Sequence, residues 1–350
     1  MAFLILAIII IIALYFFGSR WVCGPSFDEV HYVPVSDDRN IVMHRLRPAA
    51  GKTKRKYPII LCHGLGANRF NLALPGRYSF AEMFSQEGYD VFCLELSGFG
   101  MSVPGRWGTP GRWDVQFDDF VYRDGPAAID RVLSETGAKK SFWIGHSMGG
   151  MTAYALAQTD CAKKIRGVVT ISSPGTFRGM EAFKPFLKFA PILKYMPRLN
   201  LGLYFRIFAP IAEYLPGLRF LKMAQMGNID SDTKKLAAAN VISTIPSRLL
   251  LQFGRWLETG QCTSEEGYDF QENLHRVKIP FLLLAGGGDD LVHPEMVKFA
   301  YDGMSSKDKT YHCFSKANGG LADYGHGDII FGRTAPGEVH PMVRDWVNER

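Results

Sequence analysis

Residues 1–17, MAFLILAIIIIIALYFF, carry no charged side chain, and beyond them the hydrophobic pattern changes period repeatedly. "DEVHYVPVSD" and "IVMHRLRP", joined by "SDDRN", predict two strands of a β-hairpin. "YPIILCHG" and "YDVFCLELSGFG" are continuous apolar runs that stop at glycines. That is the pattern of strands buried on both faces. "FAEMFSQEG" and "FDDFVYRDGPAAIDRVLSETG" have helical spacing, with Gly88 and Gly137 as stops. "KSFWIGHS", "MGGMTAYALAQ" and "IRGVVTISSPG" then read as strand, helix and strand.

The alternation breaks near Thr176. From there to about Gly260 the chain reads as helices, beginning with "FKPFLKFAPILKYMPRLNLGLYFRIFAPIAEYLPGLRFLKM". Alternation returns with "IPFLLLAGGGDD", "PEMVKFAYDGM", "KTYHCFS" and a C-terminal helix over "HPMVRDWVNER". The whole predicts an α/β fold: a mostly parallel central sheet, helices on both faces and a helical cap insertion. The boundaries read as an N-terminal segment at 1–19, a core at 27–175 and 261–350, and a cap at 176–260.

The first segment reads as an uncleaved single-pass membrane anchor. Its length is at the short end of a transmembrane helix. A cleaved signal peptide is the alternative. It would want Lys or Arg at the start and small residues at a cleavage site, and "FFGSRWVCG" has no A-x-A pattern. Val22 before Cys23 does not suit a lipidated cysteine. Arg20 and the cluster from Lys52 lie after the segment, which favours a cytoplasmic catalytic domain.

With 350 residues and 47% hydrophobic content, the chain can build one large domain with an insertion. The net charge of +6 is spread out, with no stripe of cations and stacking aromatics, so nucleic-acid binding is excluded from the reading. The six cysteines lack metal-ligand spacing, and Cys62 and Cys93 read as small core residues. "AGGGDD" is not followed by Lys-Ser/Thr, so it is not a phosphate-binding loop. No metal or cofactor is expected.

The chemistry gathers around Gly145-His146-Ser147-Met148-Gly149. A bare G-x-S-x-G match means little, but here it lies between a predicted strand and a predicted helix. A sharp turn there strains the central residue and leaves no room for neighbouring side chains, hence the glycines. It also lifts the serine hydroxyl to a helix N-terminus. A nucleophilic serine needs a base and an orienting acid. In this arrangement they follow in the order Ser, Asp or Glu, His. Asp289 lies just past a predicted buried strand, and His326 lies in "ADYGHGDIIFG". The expected triad is Ser147, Asp289 and His326. Asp290 is the alternative acid. His293 is expected on a loop surface, His312 in a strand, and His340 at a helix start. The expected oxyanion donors are the backbone N–H groups of Leu65, in "LCHGLGAN", and Met148. His63 and His146 are expected to be structural.

These motifs resemble the α/β-hydrolase family: His63-Gly64, GHSMGG at 145–150, GGGDD at 286–290, and His326. The resemblance runs from about Pro58 to the C-terminus. It is most similar to the acid-lipase branch, in which the histidine is followed by one residue and then Asp, as in His326-Gly327-Asp328. That resemblance implies hydrolysis of carboxylic esters with hydrophobic acyl groups, without a cofactor. The elbow also looks similar to polyhydroxyalkanoate synthases, which carry Cys at the nucleophile. Dehalogenases and epoxide hydrolases of this fold carry Asp there. Ser147 disfavours both. An apolar N-terminal segment and a shorter cap depart from secreted acid lipases.

The cap carries Phe183, Phe186, Phe189, Tyr195, Tyr204, Phe205, Phe208 and Tyr214 among Lys184, Lys188, Lys194, Arg198 and Arg206. The aromatics are expected to line an acyl pocket, with the cations in solvent; a lipid-facing surface is the alternative. The expected function is a membrane-tethered serine lipase or esterase acting through an acyl-enzyme on a hydrophobic ester or lipid. An acyltransferase on the same scaffold and a non-catalytic binding member of the fold are the alternatives.

Overall fold

The computed structural model describes residues 2–24, 27–102, 113–180, 190–214 and 224–350. After an N-terminal helix, α1 (Ala2–Ser19), the hairpin forms as expected: β1 (Glu29–Ser36) pairs antiparallel with β2 (Arg39–Leu46). The chain then alternates through β3 (Ile59–Cys62), α2 (Phe80–Gln86), β4 (Val91–Glu95), α3 (Gly125–Thr136), β5 (Ser141–His146), α4 (Met148–Leu156) and β6 (Ile165–Ile171). The cap follows, with a short ribbon of β7 (Arg198–Asn200) and β8 (Thr244–Pro246). Among the described residues its longer helices are α5 (Leu201–Phe208), α6 (Ser231–Asn240) and α7 (Ser247–Thr259). The core resumes with β9 (Phe281–Gly286), α8 (Pro294–Gly303), β10 (Lys309–Phe314) and α9 (Ala335–Asn348).

The main sheet runs β1-β2-β4-β3-β5-β6-β9-β10. Every pairing from β4 to β10 is parallel, while β1–β2 and β2–β4 are antiparallel. Strand alternation explains the unbroken apolar runs. Ile60, Cys62, Phe92, Leu94, Trp143 and Leu283 pack into one core. Their neighbours Ile59, Leu61, Val91, Cys93, Phe142 and Leu282 pack into the other. Both faces are covered, so these strands are mostly apolar on both sides. Parallel pairing brings the C-terminal ends of β3, β5 and β9 to one edge, where loops gather.

The spanning anchor expected at 1–19 is corrected. Helix α1 packs against α5, α6 and the turn Ala209–Tyr214 of the cap. Gly18 permits this approach, since a Cβ there would stand 2.2 Å from the Arg206 carbonyl oxygen. Among the described residues no helix is long and apolar enough to cross a membrane. The end of α1 is tied down through Asn240, whose side chain accepts from Cys23 N and donates to the Trp21 carbonyl, each at 2.7 Å.

Two other elements differ from expectation. The C-terminal helix begins at Ala335, with His340 and Pro341 inside it. His340 is buried against the Phe80 ring, 4.0 Å between centroids. The long helix ahead of the elbow is not uniform: a π-turn, Phe120–Asp124, precedes α3. It aims the buried Asp124 at the loop after β4, where its carboxylate accepts from Ser97 N (2.8 Å) and Ser97 Oγ (2.9 Å).

Burial pushes the Asp124 carboxyl up to about 7. The raised folded-state value means that the unfolded chain releases this proton first as pH rises. The contribution of this group to stability is therefore full below about pH 4 and is lost by about pH 7. Asp124→Asn keeps both bonds, its oxygen accepting from Ser97 N and its amide donating to Ser97 Oγ. We expect that variant to be the more stable at pH 8, by on the order of a few kcal/mol, and to flatten the slope of Tm between pH 5 and 8. Thermal melts at the two pH values check this; an unchanged slope would count against it.

Candidate active site

Ser147 stands between β5 and α4 at φ 52°, ψ −116°, a conformation that L-residues rarely adopt. The flanking glycines are required by contact. A Cβ on Gly145 would lie 2.3 Å from the Gly149 carbonyl carbon, and one on Gly149 would lie 2.3 Å from the Cys62 carbonyl oxygen. The elbow is thus pressed against β3. Ser147 Oγ makes no hydrogen bond within 3.5 Å to any described residue, His326 included. Such bonds are often long before substrate binds.

The acid and base meet. His326 Nδ1 donates to Asp289 Oδ2 at 2.9 Å, and both residues are buried. Asp289 Oδ1 accepts from Leu291 N (2.9 Å) and Val292 N (2.8 Å), which fixes the carboxylate. With its proton on Nδ1, His326 presents the lone pair of Nε2 as a base. Asp290 is exposed, so of the two aspartates it is Asp289 that meets His326. His293 is exposed at the start of α8, and His312 lies half-buried in β10.

The loop expected to supply an oxyanion donor is oriented from behind. Leu96 N donates to His63 Nε2 at 3.2 Å, so His63 carries its proton on Nδ1 and donates it to the Gly64 carbonyl at 2.8 Å. Burial holds His63 below the ordinary histidine range, which keeps it neutral. In a trans peptide the C=O and N–H point opposite ways. Anchoring the Gly64 carbonyl on His63 therefore turns the Leu65 N–H away from it. Gly64 lies against the elbow: a Cβ there would be 3.2 Å from Ser147 Cβ. Met148 N–H is in the first turn of α4, where no helical partner exists. Neither Leu65 N nor Met148 N donates to a described backbone group outside the regular elements.

The sequence matches the family described as serine aminopeptidase, S33, over residues 53–318 of the chain. The chain belongs to this α/β-hydrolase family. It is 27% identical to the lipase lipl-3 of Caenorhabditis elegans over 183 residues, 48% of this chain and 44% of that one. It is 30% identical over 195 residues to the gastric triacylglycerol lipase of Mus musculus, 53% of this chain and 49% of that one. The chain thus spans about half the length of these curated relatives. A solved monoglyceride lipase from Saccharomyces cerevisiae, a soluble variant with a substrate analogue, superposes with a TM-score of 0.61. That pair shares 18% identity and covers 94% of this chain and 99% of that one.

In this chain, sequence reasoning gave His146 a structural role, and its position is more specific than that. Its Nε2 lies 3.0 Å from the His326 carbonyl oxygen, and its Nδ1 lies 3.0 Å from Asn71 Oδ1. The same Asn71 oxygen accepts from Gly64 N at 2.9 Å. His146 therefore bridges the oxyanion loop and the loop that carries the base. Burial, with His326 next to it, holds its pKa well below the ordinary range. A neutral ring carries one proton for two oxygens, so the carbonyl and the amide oxygen compete for it. Asn71 was not identified from the sequence; a lone Asn after a glycine loop gives no signal.

The cap reaches the site loops. Ser243 N donates to the Gly66 carbonyl at 2.8 Å, and the Ile245 side chain packs on Gly66, where a Cβ would stand 2.9 Å from it. Of the cap aromatics, Phe205 is buried, while Tyr195 and Tyr204 are exposed. Phe183, Phe186 and Phe189, with Lys184 and Lys188, lie outside the described residues, as does the side chain of Tyr214. Arg198 stacks on Trp113, its guanidinium 4.4 Å from the ring. Among the described residues, the metal-competent trio is Glu29, His31 and Glu135. Arg45 and Arg131 already occupy it: Arg45 pairs with Glu29 (3.0 Å), and Arg131 with His31 (2.9 Å) and Glu135 (2.8 Å). These cations make it an ion-pair network rather than a metal site.

Proposed function

We propose that this chain hydrolyses carboxylic esters with hydrophobic acyl groups. Ser147 attacks the carbonyl carbon while His326 takes its proton. The Leu65 and Met148 N–H groups hold the oxyanion, and His326 then protonates the departing alcohol. Water, activated by the same histidine, releases the acyl group. The observation that carries the reading is the fixed Asp289–His326 pair packed on His146, the residue before a strained, unbonded Ser147. The lipases among the relatives support an ester rather than the amide in the family's description.

Lipid association through α1 belongs to the same reading. What supports it is the run without charge, with Ile11, Ile12, Phe16 and Phe17 exposed on a helix packed against the cap. Arg20 and the cluster from Lys52 favour the cytoplasmic face.

The test is turnover by the full chain in mixed micelles, on p-nitrophenyl esters from acetate to palmitate beside aminoacyl p-nitroanilides. We expect turnover of the esters, rising from acetate to medium chains, and at least about a hundred-fold lower kcat/KM on the anilides. Preference for the anilides would replace the reading with a peptidase. Turnover only after adding a second alcohol would make the chain an acyltransferase.

A further inference from the structure

Asp289 sits in the loop after β9, and His326 in the loop after β10. These loops touch each other directly. Gly288 N donates to the Tyr324 carbonyl at 2.8 Å, and a Cβ on Gly286 would stand 2.3 Å from that same oxygen. A segment of the cap, residues 225–228, crosses over both. Gln225 Nε2 donates to the carbonyl of Gly288, the residue before the triad acid, at 2.8 Å. Gln225 N donates to Asp328 Oδ1, two residues past the triad base, also at 2.8 Å. Asn228 Nδ2 donates to Asp328 Oδ2 at 2.7 Å and to the Asp323 carbonyl at 3.2 Å.

Asp328 is fully buried. Its remaining bond, from Gly325 N at 3.0 Å, closes the loop that carries His326. A buried carboxylate is tolerated only when donors surround it. Here the donors come partly from its own loop and partly from the cap. Arg333 fastens the cap segment from the other side: its N donates to the Asn228 carbonyl at 2.8 Å, and its guanidinium to the Gly227 carbonyl at 2.6 Å.

We propose that Gln225 and Asp328 are positioning residues: cap segment 225–228 clamps the acid loop and the base loop together, so that the Asp289–His326 pair is set by the cap. The clamp rests on the catalytic reading above. Gln225 joins both loops through one residue, its side chain on one and its backbone on the other. Because a misplacement near 1 Å is enough to cost a large factor in rate, a contact this close to both triad members controls kcat. It does so without touching substrate. Displacement of the cap at this segment would free both loops together, so substrate must be admitted without moving 225–228.

The test compares Gln225→Ala and Asp328→Asn with wild type, in the full chain. Gln225 is exposed, so its truncation leaves the fold intact while removing the bond to Gly288. Asp328→Asn keeps one oxygen for Gly325 N and Gln225 N but turns an amide towards Asn228. We expect kcat on a p-nitrophenyl ester to fall about ten- to a hundred-fold in each, with KM within about two-fold. A second readout is independent of turnover: the low-field proton resonance of His326 Nδ1–H, hydrogen-bonded to Asp289. We expect it to broaden or exchange faster in both variants. The groups facing His326 are Asp289 and the neutral His146, and neither is altered.

A purely structural role would lower the Tm of Asp328→Asn but leave kcat and the His326 resonance of Gln225→Ala unchanged, which would overturn the proposal. Absence of ester turnover in wild type would overturn the catalytic reading instead. In that case the His326 resonance alone would still decide whether the clamp holds the pair.

Discussion

Ser147→Ala should abolish ester turnover while leaving the fold intact. The hydroxyl makes no hydrogen bond to a described residue, so its removal orphans no buried partner. Alanine also relieves none of the strain at φ 52°, since both residues carry a Cβ. Stability should therefore change little, within about 0.5 kcal/mol. Catalysis should fall by a factor on the order of 10⁴ to 10⁶, leaving the residual rate that oxyanion donors and binding supply. Rates by spectrophotometry and Tm by calorimetry separate the two effects. A variant that kept more than about a tenth of wild-type kcat would remove Ser147 from the mechanism.

The second large effect is expected at Asp289→Asn, set against Asp290→Asn. Asp289 Oδ2 accepts the His326 Nδ1 proton, and its other oxygen accepts from Leu291 N and Val292 N. In the variant, one atom of the amide is a donor. If the oxygen stays on the backbone amides, the NH₂ faces His326. The ring proton must then move to Nε2, the atom that should act as base. We expect kcat to fall about 10⁴-fold through this wrong tautomer. Raising pH would not restore it, because the defect is the position of the proton and not a carboxyl ionisation. Asp290 is exposed and bonds no triad member, so Asp290→Asn should stay within about two-fold of wild type. Equal losses in the two variants would contradict the assignment.

The proposed triad was drawn from places that sequence pattern marks, and the structure brings two of its members, Asp289 and His326, into contact. Ser147 lies between a strand run and a helix run, and Asp289 follows a buried strand. His326 follows in the order that the fold requires. The two-faced burial of β3, β5 and β9 was legible for a related reason, since covering both sheet faces leaves continuous apolar runs. The supporting shell was not legible. Asn71, Gln225 and Asn228 act through hydrogen bonds to segments far apart in sequence, and such bonds impose no periodicity. The β7–β8 ribbon has three residues per strand, too few to show alternation. The π-turn at Phe120–Asp124 hid inside a helical pattern, because one extra residue shifts the apolar face without breaking it. The apolar run at 1–17 was read from its length, its lack of charge and its flanks. Its packing against the cap depends on Gly18, whose missing side chain matters only once Arg206 is in place.

The measurement that tests the central claim most directly is covalent capture of the nucleophile. The full-length chain would be treated with an alkyl fluorophosphonate, digested, and mapped by mass spectrometry, beside Ser147→Ala and Asp289→Asn. The predicted result is one adduct per chain, on the peptide carrying Ser147. It should be absent in Ser147→Ala and form far more slowly in Asp289→Asn. An adduct on another residue, or none on a folded chain, would contradict the account.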